Sequence, residues 1–259
     1  MTLPNQPPVI TLLTDFGLAD HYVGVMKGVI ARICPDARVI DISHEVAPFQ
    51  IAQGAYLLSR SWRWFPEGTI HVAVVDPGVG GQRKPLAAAA DGHFFVVPDN
   101  GLLSLAEISH PVAREIQNEA LMLKPVSRSF HGRDIFAPAA AHLACGFPFE
   151  QVGPLVPQLV RLPSTSAAVL HIDRFGNVIT GLKARHYQLA GRWDWKCQIG
   201  DAVITNFSPT YGEAPPDSLF LMEGSGGYLE AALREGSAAA RMRCRVGDLV
   251  VISAFGLLE

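Results

Sequence analysis

Carboxylates, a guanidinium and an imidazole fall in glycine-rich loops of this chain at spacings suited to binding or acid–base chemistry. Asp15, in Thr14-Asp15-Phe16-Gly17, directly follows an apolar run. Its two oxygens could accept from the adjacent hydroxyls of a ribose or ligate a metal, while Asp15 and Asp20 could equally cap the helix that follows. In Val75-Asp76-Pro77-Gly78-Val79-Gly80-Gly81-Gln82-Arg83 the proline and glycines make a tight loop that lets backbone approach a ligand. Asp76 could fold back onto Arg83 there, either within a site or as a surface salt bridge on an ordinary turn. The loop is neither a Walker loop nor GxGxxG. Phe130-His131-Gly132-Arg133-Asp134 sets a histidine beside a glycine at a helix start, where it could handle protons or cap. Asp134 reads as charge complementing the helix N-terminus.

Two further loops lie in the second half. In Asp173-Arg174-Phe175-Gly176-Asn177, Asn177 could read a heterocycle through its amide, Phe175 could stack on it and Asp173 could hold an ammonium group; Gly-Asn between strands is equally a hairpin signal. Glu223-Gly224-Ser225-Gly226-Gly227-Tyr228-Leu229-Glu230 is a glycine-rich segment open to a ligand role or to plain chain reversal. Trp62, Trp64, Trp193 and Trp195 read as packing residues.

These loops need a scaffold. Val9 to Leu13 reads as a buried strand, Asp20 to Cys34 as a helix with Val23, Met26, Ile30 and Ile33 on one face, and Arg38 to Ile42 as a strand. A helix marked by Ile51, Ala55, Leu58 and Trp62 and a strand from Thr69 to Val75 follow. Strand, helix, strand, helix, strand predicts an α/β domain with a mainly parallel central sheet, whose strand ends carry Asp15, Ser43-His44-Glu45 and Asp76. Leu86 to Val97 reads as two strands around Asp91-Gly92, and Asp134 to Cys145 as a helix. Pro148, Pro154, Pro157 and Pro163 then mark a semi-rigid linker, after which short strand-like runs (AAVLHID, VITGL, CQIG, AVITNF, SLFLM, GDLVVIS) predict an all-β, barrel-like or sandwich domain. The expected division is 1–153, a linker at 154–165, and 166–259.

Composition narrows the function. The formal net charge is 21 − 24 = −3 over 259 residues, without basic clusters, which argues against nucleic acid or an anionic membrane as partner. Charged residues are 17% of the chain, fewer than usual, so much surface should be buried, including between subunits. Cys34, Cys145, Cys197 and Cys244 form no CxxC pair or zinc spacing, so a reduced, cytoplasmic protein without a metal site is expected. The start, MTLPNQPPVI, has no signal-peptide pattern, and no apolar run reaches the roughly 18 residues of a membrane span.

Seven segments, in order, resemble the S-adenosyl-L-methionine hydroxide adenosyltransferases, relatives of fluorinase and chlorinase: TDFGLADHYVGVMKG from Thr14, DISHEV at 41–46, VVDPGVGG at 74–81, VPDNGLLS at 97–104, FHGRDIFAP at 130–138, DRFGNVIT at 173–180 and GSGGYLEAA at 224–232. The resemblance covers essentially the whole chain. It implies that Asp76, Arg83 and His131 are the family's catalytic triad and that Asp15 binds ribose. It also implies that Asp173, Phe175 and Asn177 take the methionine amino group and adenine, in a loop shorter than the fluorinase's, and that Ser225 contacts methionine. Phe49 falls where the fluorinase has a tryptophan beside the ligand, and adenine contacts are expected near Ser237 and Ala238, where the spacing differs. Val79 and Gly132 stand where the fluorinase has its halide-contacting Thr and Ser, which argues against fluoride as nucleophile.

The implied reaction is in-line attack of water on the 5′ carbon of S-adenosyl-L-methionine, giving adenosine and L-methionine with no cofactor. The implied assembly is a homotrimer with sites between neighbouring subunits. A halide-dependent adenosyl transferase, a metal-dependent nucleoside hydrolase using Asp15, Asp20 and Asp76, and a non-catalytic S-adenosylmethionine-binding protein are the alternatives.

Overall fold

The computed structural model describes residues 6–165, 167–187 and 189–254; the reading of the chain's start falls partly outside them. The chain divides into two compact units between Leu162 and Pro163.

In the first unit, β1 (Val9–Thr14), α1 (Tyr22–Ile33), β2 (Arg38–Ser43), α2 (Ile51–Ser61) and β3 (Ile70–Val74) follow the expected alternation. A hairpin of β4 (Pro85–Ala90) and β5 (His93–Pro98), then β6 (Val112–Glu115) and α3 (Ala137–Ala144), complete it. The sheet order is β2-β1-β3-β5-β4-β6. Helical crossovers make β1, β2 and β3 parallel, and β5 runs parallel to β3, but β4, which connects those two, runs antiparallel to both β5 and β6, so the sheet is mixed rather than mainly parallel. The cause is local. Asp91 (φ 48°) and Gly92 (φ 78°) form a two-residue turn with both φ positive, which reverses the chain inside the sheet.

Alternate residues of each strand supply opposite faces of this sheet. Ile10, Leu12, Val72 and Val74 pack with Met26 and Ile30 of α1 and with Phe136 and Ala140; Leu13, Ala73 and Phe95 pack with Leu58 of α2 and with Trp62. Each large side chain so buried contributes roughly 1.5–3 kcal/mol. Asp20 does not cap α1: the N-cap is His21, and no side chain bonds the free N–H groups. The helix expected from Asp134 begins instead as a π-helical turn, Gly132–Phe136, before α3. The proline-rich residues are bonded to the first unit, Val156 N to Ala113 O (2.8 Å), Val160 N to Asp99 Oδ1 (2.9 Å) and Leu162 N to Ser104 Oγ (2.8 Å).

The second unit holds β7 (Val169–Ile172), β8 (Val178–Lys183), β9 (Trp195–Ile199), β10 (Ala202–Ile204), β11 (Leu219–Glu223), β12 (Tyr228–Leu233), a short helix α4 (Ala238–Met242) and β13 (Val250–Ala254). They form two antiparallel sheets, β10-β9-β13 and β11-β12-β8-β7. Isolated bridges join Ala168 to Leu249 and Phe207 to Leu221. Trp195, Leu221, Leu229 and Ala231 lie in the core. Packing accounts for Trp62 and Trp195, which are buried, but not for Trp64 and Trp193, which are exposed. Among the described residues no helix is long and apolar enough to cross a membrane.

Candidate active site

Thr14 pairs in parallel with Val74, so the chain leaves β1 and β3 at the same edge of the sheet, and Asp15 and Asp76 emerge as neighbours. Successive turns, Val79 N to Asp76 O (3.2 Å) and Gly81 N to Gly78 O (3.0 Å), fold the loop after Asp76 back on itself. Gly80 has φ 75°, and a Cβ there would collide with the carbonyl of Arg128, so glycine is required. The fold-back brings Arg83 onto Asp76: Nε donates to Oδ1 (3.0 Å) and Oδ2 (2.9 Å), and Nη2 donates to Oδ2 (2.5 Å). This is no surface salt bridge, because the side chains of Arg83 and Asp76 are only 9% and 4% exposed.

The same Arg83 Nη2 lies 2.7 Å from His131 Nδ1. A guanidinium only donates, so Nδ1 is the acceptor and a neutral His131 carries its proton on Nε2. Burial, then the Arg83 charge, pushes the His131 pKa below its ordinary value, with Asp76 and Asp134 opposing. His131 caps nothing through its side chain. Asp134 differs from its expected role: rather than serving a helix terminus, it accepts from Arg133 (2.6 and 2.9 Å) and from Ser127 N (2.8 Å), clasping the preceding loop.

Asp15 caps no helix either. Its Oδ2 accepts from Phe49 N (2.9 Å), and Phe49 holds a left-handed backbone (φ 69°) and is 70% exposed as a residue. An aromatic residue in that conformation is strained, and such strain concentrates at functional sites. Burial raises the Asp15 pKa, the Phe49 N–H opposes, and the charge of Asp76 adds to the rise.

A buried chain of groups that the residue pattern did not reveal supports this loop. Thr14 Oγ1 accepts from Phe16 N (3.2 Å) and is hydrogen-bonded to His44 Nδ1 (2.8 Å). His44 Nε2 lies 3.1 Å from Asp41 Oδ1, and Lys27 Nζ donates to Asp41 Oδ2 (2.6 Å). Burial would raise the Asp41 pKa, but Lys27 and His44 bring it below the usual carboxylate range. Hydroxyl, imidazole and carboxylate are connected as in a nucleophilic triad, yet Thr14 is fully buried and has no access to a substrate. The chain positions the Asp15 loop. Its only signal in the sequence was the place of Ser43-His44-Glu45 at a strand end.

In the second unit, Asp173 organises the β7–β8 loop, its Oδ1 accepting from Phe175 N (2.9 Å) and Asn177 N (2.8 Å). Asn177 Nδ2 donates to Asp173 Oδ2 (2.8 Å) and Tyr211 Oη (3.1 Å), inside a loop that joins the antiparallel pair β7 and β8 as a hairpin. Gly176 (φ 85°) admits no Cβ, because Ser237 packs against it, and its carbonyl accepts from Ala239 N (2.9 Å). Asp173, Phe175, Asn177 and Ser237 thereby line one cavity of about 800 Å³, with Tyr211 and Gly236. Ser237 Oγ also caps α4, accepting from Ala240 N (3.1 Å). Ala238 is fully buried in the core, so only its backbone is left for a ligand, and Ser225 lies in the exposed turn between β11 and β12, off the cavity wall. Tyr211, a lone polar residue among turn residues, carried no sequence signal. Among the described residues no group of three or more His, Cys, Asp or Glu is placed to hold a metal ion.

The N-terminal domain of the SAM hydroxide adenosyltransferases matches residues 10–153, and the C-terminal domain matches residues 167–251. The chain belongs to this family. An "(R)-S-adenosyl-L-methionine hydrolase" of Thermus thermophilus is 39% identical over 92% of the chain and 96% of its own length. One of Salinispora arenicola is 37% identical over 95% of the chain and 98% of its own. A fluorinase of Actinoplanes sp. is more distant, at 28% identity over 96% of the chain and 98% of its own. The crystal structure of an uncharacterized conserved protein from Thermotoga maritima, 36% identical, covers 94% of the chain and is itself wholly covered, with a TM-score of 0.85. The adenosyltransferase family thus spans both units, and its hydrolase members are the nearer of these relatives.

Proposed function

We propose that this protein hydrolyses S-adenosyl-L-methionine, water attacking the 5′ carbon in line while the C5′–S bond breaks, to give adenosine, L-methionine and a proton. The buried Asp76–Arg83–His131 array carries this reading. A sulfonium leaves as a neutral thioether, so the difficult partner is water, whose free pKa is about 15.7. Arg83 holds Asp76 and His131 to one locus, where they can orient a water molecule and stabilise its developing hydroxide character.

Asp76 is the better proton acceptor of the two. His131 Nδ1 is occupied by Arg83 and Nε2 carries a proton, so the neutral imidazole can donate but has no nitrogen left to accept. Asp76 Oδ1 takes a single bond from Arg83 and keeps a lone pair. Asp15 would hold the ribose diol through its remaining oxygen, Phe49 would stack beside the nucleoside, and Asp173, Phe175, Asn177 and Ser237 would receive adenine and the methionyl group, with Ser225 and the Ala238 backbone nearby. The reaction needs no resident cofactor or metal, since the leaving group is already activated by its charge.

The assembly we infer is a cytoplasmic homotrimer with sites at subunit interfaces. Exposed apolar side chains on the site loops support it: Leu18, Phe49 and Phe175 are all solvent-facing in the single chain. Light scattering should show the trimer, and a fully active monomer at high dilution would overturn the shared site. Barrel closure of the second unit is supported by the bridges Ala168–Leu249 and Phe207–Leu221, which link the two sheets. Incubation with S-adenosyl-L-methionine in ¹⁸O-water, followed by mass spectrometry, tests the reaction. Adenosine labelled at the 5′ oxygen is the expected product; free adenine would indicate nucleoside hydrolysis, and a requirement for halide would indicate a transferase.

A further inference from the structure

Two cysteines that lie far apart in the sequence meet where two helices end. Cys34 is the C-cap of α1 and Cys145 the C-cap of α3. Ile30 and Cys34 pack in one cluster with Ala140, Ala141 and Leu143, and Ile33 and Ala144 lie against it, so the two helix ends are held side by side. Cys145 Sγ donates to Ile33 O at 3.6 Å, the carbonyl of the peptide group that leads into Cys34. One trans peptide joins that oxygen to the Cα of Cys34, which places the Cys145 sulfur within roughly 6.5 Å of it. Rotation about side-chain bonds then suffices to bring the two sulfurs to bonding distance. The pair is unequal, because Cys34 is only 4% exposed whereas Cys145 is open to solvent. Burial pushes the Cys34 thiol up to about 12, and the neighbouring Cys145 thiol adds to the rise, so Cys145 is the one that meets a reagent first.

We propose that Cys34 and Cys145 form a thiol–disulfide couple, modified by small disulfides of the glutathione class, whose closure clamps α1 to α3. The Cys145 thiolate attacks one sulfur of the small disulfide, forming a mixed disulfide and expelling one small thiolate. Cys34 gives its proton to solvent and attacks the Cys145 sulfur, which closes the protein disulfide and expels the second small thiolate. The protein thiols thereby lose two electrons and two protons, and the small disulfide takes them up as two thiols. Capping Cys145 in the first step removes its charge from beside Cys34, which eases the second. In a reducing compartment the couple stays open, and it closes when the thiol pool is oxidised. The clamp falls at the far ends of two helices whose near ends carry site loops: α1 opens after the Asp15 loop, and α3 continues the π-helical turn that starts behind His131.

The test treats the reduced full-length protein with oxidised glutathione at pH 8, alkylates the remaining thiols and maps the cysteines by peptide mass spectrometry. The expected product is a linked Cys34–Cys145 peptide pair that dithiothreitol separates. Cys34→Ser should stop at the mixed disulfide on Cys145, and Cys145→Ser should leave Cys34 unmodified. Closing a loop of roughly a hundred residues restricts the unfolded chain, so the oxidised wild type should melt roughly 5–10 °C above the reduced protein, a difference absent in Cys145→Ser. A wild type that stays reduced, stops at the mixed disulfide or links Cys145 to a second chain would overturn the couple, a result read from the wild type alone whether or not the variants fold. Closure that leaves the melting temperature unchanged or lower would overturn the clamp.

Discussion

Arg83 donates through Nη2 to His131 Nδ1 at 2.7 Å while its other N–H groups hold Asp76, and that one bond decides which nitrogen of the imidazole keeps its proton. A guanidinium cannot accept, so the tautomer follows from chemistry rather than from assignment of a hydrogen position. Arg83 therefore does more than neutralise a carboxylate. It makes two titratable groups unequal, one presenting a lone pair and the other an N–H, which is the asymmetry needed to hold a water molecule by both ends.

Asp76→Asn should lower kcat by roughly 10² to 10³ with KM changed only a few-fold, since one preorganised polar contact at a reacting atom is of that scale. Arg83→Met should cost at least as much, because it frees both partners. A variant with normal kcat at saturation and a raised KM would show that the array binds substrate rather than acting on water.

The pH dependence follows from the depressed His131 pKa. His131 is neutral at pH 7, and its protonation would set an imidazolium against Arg83, so kcat should hold down to below pH 6.5 and then fall. Removing the Arg83 charge raises the His131 pKa, and the acid limb of the residual kcat profile in Arg83→Met should move to higher pH. An unmoved limb would assign it to another group.

Much of this site was legible because it hangs on local patterns. The apolar periods of β1, α1, β2, α2 and β3 are consecutive, and the parallel-sheet rule then points to Asp15 and Asp76 at the strand ends. Glycines marked the Asp76 and Asp173 loops because backbone must pass close to Arg128 and Ser237, a requirement that only glycine meets. What stayed hidden is long-range. Thr14, His44 and Asp41 are ordinary strand-end residues until β1 and β2 pair. The mixed sheet was half visible: Asp91-Gly92 announced the hairpin, but nothing local says that β4 enters the same sheet between β5 and β6.

His44→Ala should act through Asp15. Without the imidazole, Thr14 loses the partner that orients it and Asp41 loses one of its two neighbours, so the Asp15 loop loosens. KM should rise about tenfold with a smaller change in kcat, and His44→Asn, which keeps a donor and an acceptor, should recover part of the loss. Combining His44→Ala with Asp15→Ala should add little beyond Asp15→Ala alone, as expected for residues acting along one route. Full additivity in a double-mutant cycle would refute the coupling.

Stability should fall on mild acidification because of a second buried histidine, far from the reacting groups in role. His71 is fully buried on β3, with Nδ1 2.8 Å from Thr11 Oγ1 and Nε2 3.2 Å from His93 Nδ1. Burial, helped by His93, depresses its pKa from 6.5 to about 3. The unfolded chain then binds a proton that the folded chain refuses between those values, so the stabilising contribution is whole above pH 6.5 and is lost progressively as pH falls toward 3. The loss is about 1.4 kcal/mol per pH unit from His71, or roughly 2 kcal/mol between pH 6.5 and pH 5, and His93, also depressed by burial, steepens it. Urea unfolding at pH 7.5 and pH 5 should show the difference. In His71→Leu the slope of stability against pH over that range should flatten, whatever the variant's stability at pH 7.5, and a slope equal to the wild type's would place the acid sensitivity elsewhere.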